Sequence, residues 1–462
     1  MNKRFAFALF LILVLGLILR FHPLLIDGYV DPDQAFHIRQ AKAFISEEKV
    51  PFRDELSNQG RYYSYAPMYH SILAVFSLLT GIEADVLIFI LSALYGVIGV
   101  LVVFLFARKF FDEKTALYSA FILSVLSLHL VRTAGQSRPD GLALLIIPAV
   151  LYLLFTQRFK LAIIFSVFQV LLHPLSTVFL LLTIIVWMAI FRIKKIQLNY
   201  KYFFALIFIA IIVFLIWLFH LPYPWTDYVS RVSFDSAELT QLSLTGLLYY
   251  TKEAWLFALI ALTKLKNNLF LKIFLVVSFL YALVGVRTTI FFSIPLGIIA
   301  GLGLNVVIEK VRPFQKIAFP LIMLLILISA GPGFLKKGTF LTQQDKTALF
   351  WIKDNTPQDA VIFSQWDLGH PITYLAQRTT FMDGYFEFAP DVKQRNDTMK
   401  TLIQTSNCPI IQNLVQKNKL DYFFLATKML NSQTYQYGAL EADCSFESGM
   451  YASDTTKIIK WN

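Results

Sequence analysis

Long apolar runs separated by short polar connections fill the chain from residue 5 to about residue 331. A run of about 20 apolar residues is long enough to cross a bilayer as a helix. The pattern therefore predicts a polytopic α-helical membrane protein with about eleven transmembrane helices, and a shorter run at 67–80 predicts an interfacial or re-entrant helix. The predicted spans are 5–21, 84–107, 115–131, 139–156, 160–172, 174–191, 202–220, 251–263, 269–285, 288–308 and 315–331.

Basic residues follow this pattern, because lysines and arginines concentrate in every second connection between the runs. Such connections face the cytoplasm under the positive-inside rule. The N-terminus is then cytoplasmic, and the other connections, with everything after residue 331, are extracytoplasmic. The basic connections contain Arg108, Lys109 and Lys114; Arg158 and Lys160; Arg192, Lys194, Lys195 and Lys201; Lys264, Lys266 and Lys272; and Lys310, Arg312 and Lys316.

Composition excludes other classes of protein. Hydrophobic residues make up 57% of the 462 and charged residues 15%, which is too apolar for a soluble globular domain. The basic residues behind the formal net charge of +11 lie in the short connections, so the charge indicates membrane orientation and not a nucleic-acid partner. A transporter built from inverted halves is expected to show an internal repeat, and we see none in this chain.

The polarity of the chain changes after Gly331. An amphipathic pattern at 342–355 predicts a helix, and the apolar run 360–363 predicts a buried strand. Cys408 and Cys444, the two cysteines of the chain, lie in this last part as either a disulfide or two free thiols. The predicted layout is a transmembrane domain at 1–333, with external loops at 22–83 and 221–250, followed by a small extracytoplasmic α/β domain at 334–462.

The segment 31–39, in the first predicted external loop, concentrates charge at the edge of the membrane. It holds Asp31, Asp33, His37 and Arg39. Ionisable groups are costly near hydrocarbon, so their presence there marks a substrate path or a reactive site. The alternative is a polar loop whose acids are only solvated.

Three further polar features fall on the same predicted side of the membrane. Arg138 and Asp140 lie in the turn 132–141, Glu238 lies in the loop after the seventh span, and Arg287 lies at the end of a span. Each also has a structural interpretation. The first two residues could cap a helix through its dipole, the glutamate could be solvated, and the last arginine could extend to the interface.

A fourth feature follows the predicted strand of the C-terminal part. Trp366, Asp367 and Gly369 stand there within four residues. Together with the other features, this spacing resembles the catalytic subunit of the oligosaccharyltransferases of archaeal and bacterial type, a family in the GT-C superfamily of membrane glycosyltransferases. In that family a Trp-Trp-Asp-Tyr-Gly signature binds the Ser or Thr of a glycosylation sequon. Here Gln365 and Leu368 depart from the signature.

The membrane-proximal motifs resemble the same family. There an aspartate precedes a His-hydrophobic-Arg run by four positions, as Asp33 precedes His37 and Arg39 here. The turn 132–141 is similar to an Arg-x-x-Gly turn that leads to a pair of acids. Arg138 stands where the first acid would be, which removes one oxygen ligand and adds a repelling charge, so it argues against a complete divalent-metal site.

The resemblance implies a GT-C fold and a role for each of these residues. The donor would be a sugar or oligosaccharide on a polyprenyl or dolichyl phosphate or pyrophosphate, the acceptor a protein asparagine or a glycan, and the cofactor a divalent cation such as Mg²⁺ or Mn²⁺. The implied roles are catalysis by Asp33, with Asp31 and Glu238 as further candidates; binding of the donor phosphate by Arg287 and Arg138; acceptor binding by Trp366, Asp367 and Gly369; and metal binding by Asp33 and Asp140.

Three alternatives remain open from the sequence. A GT-C enzyme acting on a lipid or glycan acceptor is favoured by Arg138 and by the incomplete tryptophan signature. A lipid or glycan transporter would carry charges near the middle of its spans, whereas nearly all charges here lie at the ends. An assembly or anchoring protein with a receptor-like outer domain would function without Asp33.

Overall fold

The computed structural model describes most of the chain. Helices dominate the part up to residue 335, and a mixed β-sheet lies in the part after residue 340. The described residues are 3–22, 31–51, 53–63, 65–135, 137–196, 199–219, 244–265, 268–335, 340–385, 389–430, 446–453 and 456–461.

The helices up to residue 335 follow the predicted apolar runs. Among the described helices, five are long and apolar enough to cross a membrane, and a bent pair would make a sixth. Other apolar helices are shorter, with 10–17 residues. The elements are α1 (Lys3–Phe21), α2 (Pro32–Glu47), β1 (Arg53–Asp54), β2 (Arg61–Tyr62), α3 (Met68–Thr80), α4 (Ala84–Ala107), α5 (Glu113–Val125), α6 (Ser127–Leu130), α7 (Pro139–Phe155), α8 (Phe159–Leu172), α9 (Pro174–Ile193), α10 (Tyr200–Phe219), α11 (Leu244–Thr251), α12 (Ala254–Leu262), α13 (Leu269–Ala282), α14 (Ser293–Lys310) and α15 (Gln315–Leu335).

Part of the first predicted external loop is a helix, α2, which the apolar runs did not predict. Asp31 caps it by accepting a hydrogen bond from the Asp33 backbone N–H at 3.2 Å, and Pro32 occupies the first helical position. Its buried Phe36 packs against His370 of the C-terminal part, with 5.1 Å between ring centroids. The helix is therefore stabilised by contacts that are distant in sequence.

One predicted span is bent, and another follows a short helix that was not predicted. The span predicted at 115–131 bends by 58° between α5 and the segment that begins with α6, because Leu126 has an extended backbone. The span predicted at 251–263 forms as α12, and Lys252 and Glu253 separate it from the preceding α11. Because α11 begins at Leu244, the last part of the external loop predicted at 221–250 is helical instead.

Aromatic packing joins the helices at one end of the helical part. Phe155 stacks on Trp187 with 4.8 Å between ring centroids, and Phe270 meets both rings nearly edge-on at 4.6 and 4.7 Å. Rings of this size stabilise a core through their buried apolar area and through edge-to-face contact. The cluster thereby fixes α7, α9 and α13 relative to one another.

The part after residue 340 contains a five-stranded sheet with the strand order β4-β3-β5-β7-β6. The strands β4, β3 and β5 are parallel, and β7 is antiparallel to both of its neighbours. The elements are α16 (Gln343–Asn355), β3 (Val361–Phe363), α17 (Gly369–Pro371), β4 (Thr379–Thr380), α18 (Val392–Gln404), α19 (Cys408–Asn418), β5 (Tyr422–Leu425), α20 (Thr427–Leu430), β6 (Phe446–Ala452) and β7 (Lys457–Trp461).

The helix predicted at 342–355 forms as α16, and a capping box defines its start. The Thr342 side chain accepts a hydrogen bond from the Asp345 backbone N–H, and the Asp345 carboxylate accepts one from the Thr342 backbone N–H. Cys408 is disulfide-bonded, which decides between the two alternatives for the cysteines. Cys444 lies outside the described residues.

The hairpin of β1 and β2 is attached to the C-terminal sheet. Ser57 forms a parallel bridge with Thr380 in β4. The Asn58 N–H donates to the Thr380 carbonyl oxygen, and the Thr380 N–H donates to the Leu56 carbonyl oxygen, both at 3.0 Å. These bonds connect the first polar segment of the chain to its last part.

A chain of buried ion pairs reinforces this attachment. The Asp54 carboxylate accepts hydrogen bonds from Arg39 of α2 at 2.8 and 2.6 Å, and from Arg61 at 2.9 Å. Arg61 also donates to Asp383 at 2.6 Å. The pairs therefore run from the helix that carries Asp33 to the loop that follows β4.

We expect Asp54→Asn to destabilise the folded chain at neutral pH by about 3–5 kcal/mol, because Arg39 would lose its carboxylate partner and the buried Arg61 would keep only Asp383. Burial raises the pKa of Asp54, but Arg39 and Arg61 lower it by more, so the pKa lies well below its usual value. The ionised carboxylate therefore contributes stability above about pH 4, and the contribution is lost as the pH falls toward the folded-state pKa.

Thermal unfolding of the purified chain in detergent, recorded at several pH values, measures this effect. Glu55→Gln is the matched control, since Glu55 is the next residue and its side chain is 72% exposed. Equal melting temperatures for the two variants at neutral pH would show that the Asp54 pairs do not support the fold.

Candidate active site

Arg138 joins the two candidate carboxylates of the first motif. Its Nη2 lies 2.8 and 3.0 Å from the carboxylate oxygens of Asp31, and its Nε donates to Oδ1 of the same residue at 3.2 Å. Its Nη1 lies 2.5 Å from Oδ2 of Asp33. The N-cap position of α2 and the N-cap position of α7 thus meet, although the residues are 107 positions apart in the chain.

Positive charge surrounds Asp33. Burial raises the pKa of its carboxyl, but the charges of Arg138 and Arg287 lower it by more, with smaller contributions from His370 and Arg132. The pKa therefore lies below its usual value, and Asp33 is ionised at neutral pH. Its Oδ2 is engaged by Arg138, whereas its Oδ1 points toward Gly384, where a Cβ atom would be 3.7 Å away.

Two further predicted residues belong to the same neighbourhood. Asp140 pairs with Arg132, with 3.4 Å between Oδ2 and Nε, and both side chains are buried. Arg287 lies in a 3₁₀ turn at 286–292, before α14, and is close enough to Asp33 for its charge to act on the carboxylate. The structure therefore brings Asp31, Asp33, Arg138, Asp140 and Arg287 together.

Guanidinium groups already engage most carboxylate oxygens of this cluster. Both oxygens of Asp31 and Oδ2 of Asp33 face Arg138, and Oδ2 of Asp140 faces Arg132. Oδ1 of Asp33 and Oδ1 of Asp140 are left, which is far fewer than the six or more oxygen ligands of a hard divalent cation. No group of three His, Cys, Asp or Glu side chains suited to a metal occurs among the described residues. The role predicted for Asp33 and Asp140 as metal ligands is therefore not supported by their surroundings.

The predicted acceptor residues lie beside the sheet of the C-terminal part. Trp366 and Asp367 form a 3₁₀ turn after β3, and both are partly exposed. Asp367 pairs with Lys428 of α20, whose ammonium lies 3.8 Å from the centroid of the Phe340 ring. The sequence reasoning did not identify this lysine.

Gly369 has a packing function in the structure. A Cβ atom on this buried residue would lie 2.2 Å from the Met382 carbonyl oxygen and 2.5 Å from Cβ of Asp383. The loop after β4 can approach the turn after β3 only because this position is glycine. This contact explains the glycine without any direct contact to an acceptor.

Two residues near the site were not predicted from the sequence, and one predicted residue is not among the described residues. Arg61 and His370 were not identified as site residues. The charge of His370 acts on Asp33, and Arg61 belongs to the ion-pair chain that ends at Asp383. The available signal was their position in the sequence, since Arg61 is a cation in a predicted external loop and His370 directly follows Gly369 of the tryptophan motif. Glu238 lies in the segment 220–243, which is not described.

Comparisons with known proteins bear on these arrangements. A family model described as dolichyl-phosphate-mannose-protein mannosyltransferase matches residues 64–220. Two curated relatives are both named dolichyl-phosphooligosaccharide-protein glycotransferase 2. The one from Pyrococcus horikoshii is 31% identical over 20% of this chain and 13% of its own length. The one from Archaeoglobus fulgidus is 24% identical over 85% of this chain and 82% of its own length.

Solved structures share the fold. The archaeal oligosaccharyltransferase AglB from Archaeoglobus fulgidus, in complex with an inhibitory peptide and a dolichol-phosphate, has a TM-score of 0.75 at 15% identity, over 96% of this chain and 71% of its own. The oligosaccharyltransferase of that organism also has a structure in complex with Zn and sulfate. ArnT from Cupriavidus metallidurans, bound to undecaprenyl phosphate, has a TM-score of 0.61 at 12% identity, and the match covers 98% of this chain and 97% of ArnT.

The fold is therefore that of the GT-C membrane glycosyltransferases, a class of multi-pass membrane protein. Within this class, a relative that aligns with 85% of the chain is named dolichyl-phosphooligosaccharide-protein glycotransferase 2, which confirms the resemblance inferred from the motifs. The prediction that the chain is a glycosyltransferase is confirmed with it.

Proposed function

We propose that this protein transfers a sugar or oligosaccharide from a polyprenyl or dolichyl phosphate or pyrophosphate to an asparagine side chain of a protein. The observation that carries the proposal is the meeting of Asp33, Arg138 and Arg287 in one partly buried cluster. A carboxylate can orient or deprotonate an acceptor. Guanidinium groups can stabilise the charge that develops on a departing phosphate.

Each residue of the cluster has a distinct place in this reaction. Oδ1 of Asp33 is turned away from Arg138 and accepts the N–H proton of the acceptor amide. Arg287 binds the donor phosphate, whose oxygen receives the electron pair when its bond to the anomeric carbon breaks. Arg138 holds Asp31 and Asp33 and supplies positive charge from within the chain, so we propose no role for a divalent cation.

The C-terminal part receives the acceptor. Trp366 presents a partly exposed ring, and Asp367 with Lys428 places a charged pair next to it. The turn that contains them leads directly into α17, which packs against α2. A peptide bound at Trp366 would therefore lie near the helix that carries Asp33.

The orientation we propose places this site on the extracytoplasmic side. The N-terminus is cytoplasmic, about eleven helices cross the membrane, and residues 334–462 form an extracytoplasmic α/β domain. The basic connections support this orientation, and so does the disulfide at Cys408, since such bonds persist in oxidising compartments.

Reconstitution with a lipid-linked oligosaccharide and a peptide with an Asn-x-Thr sequon tests the function. We expect transfer to the peptide, and no transfer when glutamine replaces the acceptor asparagine. Consumption of the donor without a glycopeptide product would contradict the proposed acceptor.

Acceptor binding has its own test. We expect Trp366→Ala to raise KM for the peptide by at least about tenfold with little change in kcat, because a partly buried tryptophan often carries a large share of binding energy. Trp366→Phe is the matched control and should retain most of the affinity. A fall in kcat at unchanged KM would place Trp366 outside the acceptor site.

A second function is favoured by two observations. Arg138 occupies the position of an acid in the oligosaccharyltransferase motif, and the similarity to ArnT extends over nearly the full length of both chains. Both suit a GT-C enzyme with a lipid or glycan acceptor. Offering an isolated lipid fraction in place of the peptide distinguishes the two, since only this alternative yields a labelled glycolipid.

A further inference from the structure

His370 has a buried imidazole ring, and the proposed transfer reaction assigns it no role. Its side chain is completely buried in α17, and neither ring nitrogen has a hydrogen-bond partner within the described part of the chain. A buried polar side chain normally has such a partner, so an exception points to a functional role. The ring lies against Phe36 and Tyr385, with 5.1 and 5.0 Å between centroids.

Asp383 stands behind this imidazole. Its Oδ2 lies 3.5 Å from Nδ1 of His370, and its Oδ1 accepts hydrogen bonds from Arg61 at 2.6 Å and from the Tyr385 N–H at 2.9 Å. The carboxylate is thus fixed, and it would stabilise a positive charge on the ring. The close approach depends on Gly369, which admits the Asp383 backbone.

The other side of the imidazole faces Asp33 across Gly384. A Cβ atom on Gly384 would lie 2.9 Å from Nε2 of His370 and 3.7 Å from Oδ1 of Asp33. Both atoms therefore border the same small space, which exists because this residue has no side chain. Oδ1 is also the oxygen of Asp33 that Arg138 does not engage.

Electrostatics favours movement of a proton away from Asp33. Arg138 and Arg287 hold the pKa of Asp33 low, so a proton received there is poorly retained. Burial lowers the pKa of His370, although Asp383 and Asp33 oppose the shift, so the ring is neutral at rest and able to accept a proton. Neutral imidazole is a much stronger base than an ion-paired carboxylate.

We propose that His370, backed by Asp383, takes over the acceptor proton from Asp33 across Gly384. This inference rests on the proposed sugar transfer. As the acceptor nitrogen bonds to the anomeric carbon, the bond to the phosphate oxygen breaks and that oxygen keeps the electron pair. The nitrogen loses its proton to Asp33, from which it passes to Nε2 of His370, and solvent accepts it after product release.

Several charged or titratable groups face His370, and each would influence its titration. They are Asp33, His37 and Arg39 from α2, Arg61 from β2, and Asp383 and Tyr385 from the loop after β4.

A titration of His370 tests whether it lies close to Asp33, and this measurement does not depend on transfer activity. The full chain is purified in detergent with ring-¹³C-labelled histidine, and His370→Gln identifies the resonance among the seven histidines. We expect the midpoint of His370 to move to lower pH in Asp33→Asn and in Asp383→Asn, because each change removes a neighbouring negative charge. A midpoint that Asp33→Asn leaves unchanged would overturn the proposal, whether or not the protein glycosylates peptides.

The pH profile of transfer tests the proton path. We expect His370→Gln to lower kcat by about ten- to a hundredfold, to leave KM for the peptide unchanged, and to abolish the acidic limb of the profile. Asp383→Asn should move that limb to lower pH, and His22→Gln, the same change at the end of α1, should have no effect. An unchanged acidic limb in His370→Gln would show that the residue has only a structural role.

Discussion

Asp33→Asn is expected to lower the rate of transfer by roughly 10²- to 10⁴-fold, the range typical of a lost general base. Asparagine has nearly the same shape as aspartate, and Asp31 still caps α2 through the backbone N–H of residue 33. Asparagine cannot accept a proton, however, and it forms a weaker bond to Arg138. Donor binding should persist, because Arg287 is untouched. Single-turnover transfer and separate measurement of donor binding in the reconstituted protein distinguish the two steps.

Asp359→Asn is the matched control, since this acid is exposed in the turn before β3. It should retain the full rate. Equal rates for the two variants would assign catalysis to another carboxylate, with Asp31 as the first candidate.

Arg138→Gln has the second large expected effect, a loss of roughly 10³-fold in transfer, because removing a positioned donor at a developing charge typically costs this much. The wild-type rate should be unaffected by a chelator. Added Mn²⁺ should restore part of the rate in Arg138→Gln only, because Asp31 and Asp33 then become free to bind a cation.

Arg158→Gln, at an exposed arginine, controls for a general loss of positive charge and should behave like the wild type. Chelator-sensitive transfer by the wild-type protein would contradict the role of Arg138, and it would restore the metal site that the resemblance implied. The transfer rate of Arg138→Lys should lie between the rates of the wild type and of Arg138→Gln, since an ammonium group keeps the charge but loses the bidentate contact to Asp31.

The role of Arg138 could be predicted from the sequence only in part. Its departure from the family motif was visible, and so was its incompatibility with a complete metal site. Its pairing with Asp31 and Asp33 was not visible, because the partners lie 107 positions apart and no local pattern relates them. The residue that weakened one prediction therefore proved to be the centre of the cluster.

The helices also differ in how far the sequence predicted them. The run at 84–107 forms a helix with the same limits, since a continuous apolar stretch in a membrane has few alternatives to a helix. The helix α2 was assigned to a loop, because its buried side chains alternate with polar ones and one of its packing partners, His370, lies more than 300 positions later. The Asp-Pro pair at its start was the available signal.

By itself, the sequence determined the membrane class, the helical body, the basic connections and the candidate residues of the site, because apolar length and local motifs act over short stretches of chain. The tertiary structure alone decided which of those residues meet. Ion pairs such as Arg61 with Asp383, which are 322 positions apart, form only when packing brings distant segments together and removes the water that would otherwise solvate each charge.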